Sequence, residues 1–323
     1  MAKMIQDIIN KAICSASSLV ALGDQRLNIL IFHRVLELFD FMRPGEITAK
    51  EFDQKMRLIA KYFTPLPLLE ATERLKNGTL PQRAICVTFD DGYRDNAEIA
   101  FPILKKWNIS ATFFVASGFL DGGRMWNDTV IETVRNCQDK ELSLTDLGLD
   151  TFLTETEQAK EKAAQTIIQQ IKHLPQNERD QKVADISSYA KNLPNDLMMD
   201  SVQVKNMAEQ GVSIGGHTVT HPILETLAAK KAEQEIRQGK KELEEIIQRP
   251  VTEFAYPNGK PGQDYLPEHV DIIKNLGFKL AVSTQWGVSN SNSDIYQLNR
   301  FTPWDKGESK FLVRLVNNLR HVS

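Results

Sequence analysis

Cysteine is scarce, with only Cys14, Cys86 and Cys137 in 323 residues. An odd, sparse set of thiols excludes a disulfide framework. Cys86 lies inside the apolar run AICVTF and reads as a buried core thiol. Such usage leans towards a reducing compartment. Long apolar runs are missing too. Nothing approaches the roughly 20 residues needed to cross a bilayer, so no transmembrane segment is expected. Positive charge is not in excess: the formal net charge is −3, without the basic stripe of a nucleic-acid binder. Residues 230–241 carry four lysines and Arg237, but Glu233 and Glu235 interrupt them. That stretch reads as a solvated helix face. Histidine is rare as well, six in the chain, which gives weight to any close pair.

What is present is ordinary for a soluble globular protein: 41% apolar and 25% charged residues, enough for a sizeable core. The length suits a single α/β barrel. At the N-terminus, Lys3 and Lys11 precede AICSASSLVAL, in which Ser15, Ser17 and Ser18 interrupt the apolar pattern and Asp7 lies upstream. An amphipathic helix from about Ile5 to Leu22 is expected here, within a segment 1–25, in preference to a cleaved signal. Such a helix can rest on a membrane surface. The expected location is therefore cytoplasmic or membrane-peripheral, with export as the alternative.

Short β-rich apolar runs recur at 27–32, 84–89, 111–116, 212–216, 253–257 and 279–284, with a weaker one, YQLNRF, at 296–301. Helical patterns separate them at Phe52–Tyr62, Ala97–Lys106, Val202–Gln210, Ala228–Ile247 and Glu268–Leu276. Alternating strands and helices imply parallel βαβ units. About seven of them predict an irregular (β/α) barrel over 26–323. A polar, helix-rich insertion at about 120–200, clearest in QAKEKAAQTIIQQIKHL, reads as an excursion from that barrel rather than a separate domain.

Three motifs carry chemistry. TFDDGYRD, 88–95, puts two adjacent carboxylates directly after an apolar run, at the strand end where barrel sites form. Adjacent like charges are unfavourable unless a cation or proton relieves them. A metal on one would leave the other free as a base. GGHTVTHP, 215–222, places His217 and His221 four apart after another run. A turn of helix or a tight loop aims both imidazoles at one point. Thr218 stands where a zinc protease needs Glu, which disfavours that class. Two imidazoles and a carboxylate leave positions for water and substrate, as a catalytic metal requires. FAYPNGK, 254–260, closes a third run; an N–H after Pro257 is suited to donate to a developing oxyanion.

TFDDG, HTVTH and YPNG, in that order on βα units, resemble the polysaccharide deacetylase family, also called the nodulation-factor deacetylase homology domain or carbohydrate esterase family four. The resemblance covers about 26–305, and ILIFHRV looks like members linked to exopolysaccharide synthesis. It implies an irregular (β/α) barrel, Asp90 as base, and Asp91, His217 and His221 as metal ligands. Family members act on acetylated amino sugars or, less often, O-acetylated xylan. The oxyanion donor falls on Asn258, where the family usually has Tyr. The third motif's usual Arg, which braces the base, is replaced by Phe254 or Ala255. The fourth motif's Asp-Trp is absent, and Trp286 is the available substitute. The fifth motif's Leu-x-His matches only Leu319-Arg320-His321 and reads as coincidence.

His33, ending the first run, is the better-placed histidine for the site. Arg300, ending the weak run, is suited to pair with a site carboxylate in place of the missing Arg. Trp126, Trp286 and Trp304, in loop-like contexts, are suited to stack on sugar rings. Asn127 and Asp128 make the Trp126 loop polar. Tyr93, Tyr256 and Pro257, within the motifs, complete the expected saccharide-binding set with His33, Trp126, Trp286 and Arg300. The expected protein is a metal-dependent carbohydrate de-N-acetylase, a hydrolase of carbon–nitrogen bonds other than peptide bonds. Its metal would be divalent, zinc for preference among ions that accept this ligand set, and its partner an acetylated saccharide. An O-acetyl esterase and a non-catalytic saccharide-binding barrel are the alternatives.

Overall fold

Each apolar run becomes a strand because both of its faces are covered, as in a parallel sheet flanked by helices. A computed structural model describes residues 2–21 and 24–322. The strands are β1 Asn28–Phe32, β2 Thr64–Pro65, β3 Ala84–Phe89, β4 Ala111–Val115, β5 Ser213–Gly216, β6 Glu253–Ala255 and β7 Leu280–Val282. They form one parallel sheet in the order β1-β3-β4-β5-β6-β7, with β2 also pairing β3. This is the expected α/β architecture, realised as a curled sheet of seven short strands. Side chains on the two faces alternate. One set, including Ile29, Cys86, Phe114, Ala255 and Val282, forms a cluster with Leu68 and Leu75. The other, including Phe32, Phe89, Phe113 and Phe254, packs with Phe52 and the outer helices.

The weak run at 296–301 is not a regular strand. It makes only isolated parallel bridges, Leu298 to Val282 and Phe301 to Leu30, which tie the two edges of the curl together. Between them the chain leaves the ladder, because the N–H of Asn299 donates to Ser289 Oγ and that of Arg300 to Gln285 O. This irregular closure frees the Arg300 side chain for the site.

The insertion contains helix Trp126–Asn136, an antiparallel pair Glu141–Ser143 and Thr151–Leu153, and helices Glu157–Ile171 and Gln176–Ser187. These share their own apolar cluster, with Val130, Val134, Leu142, Phe152, Ile167 and Ile186 at its centre. Trp126 thus opens a helix, not a loop, and Asp128 is buried, paired with Arg43 at 2.7 Å. The first helix, Ala2–Ala21, lies along helix Glu308–Asn318, where Gln6 Nε2 donates to Ser309 Oγ at 2.6 Å and Cys14 joins the core. No helix among the described residues is long and apolar enough to cross a membrane.

Candidate active site

Residues just beyond the C-terminal ends of the strands meet in one cleft, the place where parallel α/β sheets bind ligands. β1 supplies His33, β3 supplies Asp90 and Asp91, β5 leads to His217 and His221, β6 to Asn258, and β7 to Thr284. The cleft encloses about 230 Å³ and is roofed from the insertion by Met125, Trp126, Asn127, Ile168, Lys172 and Arg179. A larger hollow of about 700 Å³ adjoins it and shares His33, but holds none of the Asp-His set. The chemistry therefore belongs to the smaller space.

Asp91, His217 and His221 offer ligand atoms within 4.8 Å of one another. Each Nε2 approaches Asp91 Oδ1, at 3.5 Å from His217 and 3.4 Å from His221. The two histidines come from a loop rather than a helical turn. Four non-glycine residues around the site have left-handed backbones: Asp91 (φ 77°), Thr218 (φ 65°), His221 (φ 54°) and Asn258 (φ 58°). Such conformations are uncommon and persist where surrounding contacts enforce them.

Those contacts are identifiable. His217 Nδ1 lies 2.7 Å from Ala255 O. A carbonyl only accepts, so Nδ1 carries the proton and Nε2 presents a lone pair towards Asp91. The His217–His221 loop is gripped from helix Ala229–Ile247 by Glu235. Its Oε2 accepts from Val219 N at 3.1 Å and Thr220 N at 2.9 Å, and its Oε1 from Thr220 Oγ1 at 3.1 Å. Gly239 lets that helix approach, since a Cβ there would stand 2.8 Å from the Thr218 backbone. Glu235 is therefore turned inward, contrary to the solvated face expected for 230–241. Glu235→Ala is expected to cost about 1–3 kcal/mol by orphaning the loop amides and to weaken metal affinity about 10- to 100-fold. Thermal unfolding and zinc titration check this; an unchanged affinity would remove Glu235 from the account.

Asp90 sits apart from the ligand cluster, 3% exposed, and is held by Arg300. Arg300 Nη1 donates to Oδ1 at 2.7 Å and Nη2 to Oδ2 at 2.8 Å, a bidentate pair, while Nε donates to Ser283 O at 2.9 Å. Burial alone would raise the Asp90 pKa, but the charge and hydrogen bonds of Arg300, together with the nearby His217 and His33, outweigh it and keep the carboxyl below its usual range. For His217, burial opposes protonation, yet the Asp91 and Asp90 carboxylates and the Ala255 carbonyl together prevail and raise its pKa. For His221 burial wins and brings it down to about 4, so it is neutral at pH 7 and able to ligate.

The remaining expected residues divide. His33, Trp126 and Asn258 line the cleft. Asn258 O accepts from Thr284 Oγ1 at 2.6 Å, and its N–H has no acceptor among the described residues. Tyr93, Tyr256, Pro257, Trp286 and Arg300, expected to bind saccharide, are not in the lining of this cleft. Tyr256 is fully buried; its hydroxyl donates to Tyr296 O at 3.0 Å and its ring stacks on Tyr265 at 3.8 Å. Tyr93 is buried with its hydroxyl on Asp128 Oδ2 at 2.9 Å. Pro257 is buried, and its carbonyl accepts from Gly259 N. Trp286 packs on Phe301 and Trp304. Arg300 stands behind Asp90 and braces it. Thr284, Lys172 and Arg179 line the cleft without any motif having marked them. His321 is exposed and outside the cleft.

Residues 77–281 match the family model described as polysaccharide deacetylase. YxkH of Bacillus subtilis (strain 168), whose name places it among polysaccharide deacetylases, is 23% identical over 277 residues, 85% of this chain and 70% of that protein. A poly-beta-1,6-N-acetyl-D-glucosamine N-deacetylase of Staphylococcus aureus (strain MSSA476) is 24% identical over 258 residues, 79% of this chain and 66% of that protein. Among solved structures, Streptococcus pyogenes deacetylase PplD in complex with acetate has the same fold, with a TM-score of 0.62 at 20% identity over 91% of this chain and 99% of that one.

Proposed function

The chain belongs to the polysaccharide deacetylase family, and from that premise we propose that it is a metal-dependent de-N-acetylase acting on an amino-sugar polysaccharide or its precursor. One observation carries this reading: a cleft that joins a two-His, one-carboxylate cluster to a second carboxylate braced separately by Arg300.

The donor set suits a divalent ion. Asp91 Oδ1 and the Nε2 atoms of His217 and His221 converge, and the bond from His217 Nδ1 to Ala255 O leaves the correct nitrogen unprotonated. Zinc is the preferred occupant, and when bound it would supply Lewis-acid polarisation and an acidified water. The chain's own groups do the rest. Asp90 is kept ionised by Arg300, and each of its oxygens retains a lone pair, so it accepts the proton of the attacking water. The Asn258 N–H is free to donate to the oxyanion developing on the acetyl oxygen. His33, across the same cleft, is placed to protonate the leaving amine. Met125, Trp126, Ile168 and Ile223 add apolar surface to the walls beside these groups, and low-dielectric surroundings strengthen polar interactions.

The test compares acetate release from partly N-acetylated β-1,6-glucosamine polymer and from acetyl-xylan, with and without chelator. Release is expected from the amide substrate, lost on chelation and restored by zinc. Release from acetyl-xylan alone would replace the reading with an esterase, and release indifferent to chelation would remove the metal from it.

A further inference from the structure

The roof of the cleft carries two cations that the proposed hydrolysis does not use. Arg179 is 4% exposed and lines the cleft. Its guanidinium lies 4.9 Å above the Trp126 ring, and its Nε is buried without a hydrogen-bond partner. Its sole ion-pair neighbour among the described residues is Asp180, on the exposed flank of the same helix, whose Oδ1 lies 3.5 Å from that Nε but outside hydrogen-bond geometry. Lys172, half-buried, lines the same wall and pairs with no carboxylate among the described residues. The two acids in the cleft are already engaged, Asp90 by Arg300 and Asp91 by the histidines. Asn127 Oδ1, also in the lining, is buried without a partner.

A buried guanidinium whose one charged neighbour is exposed and makes no hydrogen bond to it is costly unless something else answers it. Stacking on Trp126 covers one face of Arg179 and leaves its N–H edge available for a planar or tetrahedral anion. The position is rigid as well. Arg179 N donates to Pro175 O at 2.9 Å, and Gln176 Nε2 donates to Thr220 Oγ1 at 3.0 Å, which docks this helix on the loop between His217 and His221. The arginine is therefore held at a fixed place relative to the reacting centre.

We propose that Arg179 and Lys172 form an anion subsite, and that the substrate is an acidic saccharide in which the acetylated amino sugar adjoins a carboxylate or phosphate group. This deepens the deacetylase reading and rests on it for the position of the acetyl group. The cleft, at about 230 Å³, falls below the 300–1,000 Å³ usual for ligand pockets. It has room for the reacting sugar and its immediate substituent, so the anion belongs on that sugar or its direct neighbour.

The experiment measures binding and acetate release for three probes on the zinc-loaded full chain: chitotetraose, a hyaluronan tetrasaccharide for the carboxylate, and N-acetylglucosamine 1-phosphate for the phosphate. At least one acidic probe is expected to bind about tenfold or more tightly than chitotetraose. That preference should fall about tenfold in Arg179→Gln, less in Lys172→Gln, and be partly regained in Arg179→Lys. Whichever acidic probe is preferred identifies the anion. Equal binding of all three probes overturns the subsite, as does a preference that survives in both Arg179→Gln and Lys172→Gln. Should Arg179→Gln not fold, Arg179→Lys and Lys172→Gln decide the matter. Acetate release from chitotetraose with no acidic preference would overturn the subsite and leave the deacetylase reading standing. An acidic preference in binding with no acetate from any probe would keep the subsite and overturn that reading.

Discussion

Asp90→Asn is expected to lower kcat by about a hundred- to ten-thousand-fold, the usual cost of removing a general base, while the protein keeps its metal. Asp90 is outside the cluster of Asp91, His217 and His221, so its loss removes no ligand. The deficit should appear in kcat rather than KM, because the base acts in the transition state. The adjacent negative charges suggest at first that neutralising one would help stability. The structure argues otherwise: Arg300 is 1% exposed and answers Asp90 with two hydrogen bonds. Asn can accept from one of those donors only, so a loss of about 1–3 kcal/mol is expected with the loss of rate. Turnover measured well below the thermal midpoint separates the two effects. Activity within a few-fold of the parent would exclude Asp90 as the base.

Arg300→Met should be the most damaging single change to stability. It leaves the Asp90 charge buried without its partner, an arrangement that costs about 3–5 kcal/mol. It also orphans Ser283 O, which accepts from Arg300 Nε, while Thr88 Oγ1 loses one donor but keeps its bond to Leu30 O. The double variant Asp90→Asn/Arg300→Met should lose less than the sum of the singles, because each single change strands the other group. The pH dependence follows in sign. Asp90 is held below its usual range, so the ion pair stabilises the fold above about pH 4 and is lost as the pH falls through the depressed value. Without Arg300, only the nearby histidines His217 and His33 oppose burial, so the Asp90 pKa rises and the acid limb of kcat/KM moves to higher pH. Denaturant unfolding of both singles and the double, with a pH profile of Arg300→Gln, checks these expectations. Additive losses would mean that the two residues act independently.

Much of the fold was legible because the parallel strands are buried on both faces and read as unbroken apolar runs. β2 escaped notice because it is two residues long and contains Pro65. The run at 296–301 was legible as β-rich but not as irregular, since the cause is the diversion of two backbone N–H groups to Ser289 and Gln285. Within the site, Asp-Asp and His-x-x-x-His announce themselves by spacing alone. Arg300 showed only as a cation at a run's end; that it faces Asp90, 210 positions away, is a product of the closure of the curl. Glu235 was invisible for a different reason. A charge-rich helix reads as solvated, and only the absence of a side chain at Gly239 brings this one onto the histidine loop. Tyr93, Tyr256 and Pro257 lie within the motifs yet are buried outside the cleft lining, because motif adjacency says nothing of which way a side chain points. Lys172 and Arg179 reach the cleft from the insertion, a placement no local pattern encodes.

The central claim is that Asp91, His217 and His221 hold a divalent ion and that Asp90 does not. Zinc titration of chelator-stripped protein, read by calorimetry for the parent, Asp90→Asn and Asp91→Ala, addresses it most directly. One ion per chain is expected for the parent and for Asp90→Asn, with affinity weakened by at least about 100-fold in Asp91→Ala. Parent-like zinc binding by Asp91→Ala, or its loss in Asp90→Asn, would contradict the account.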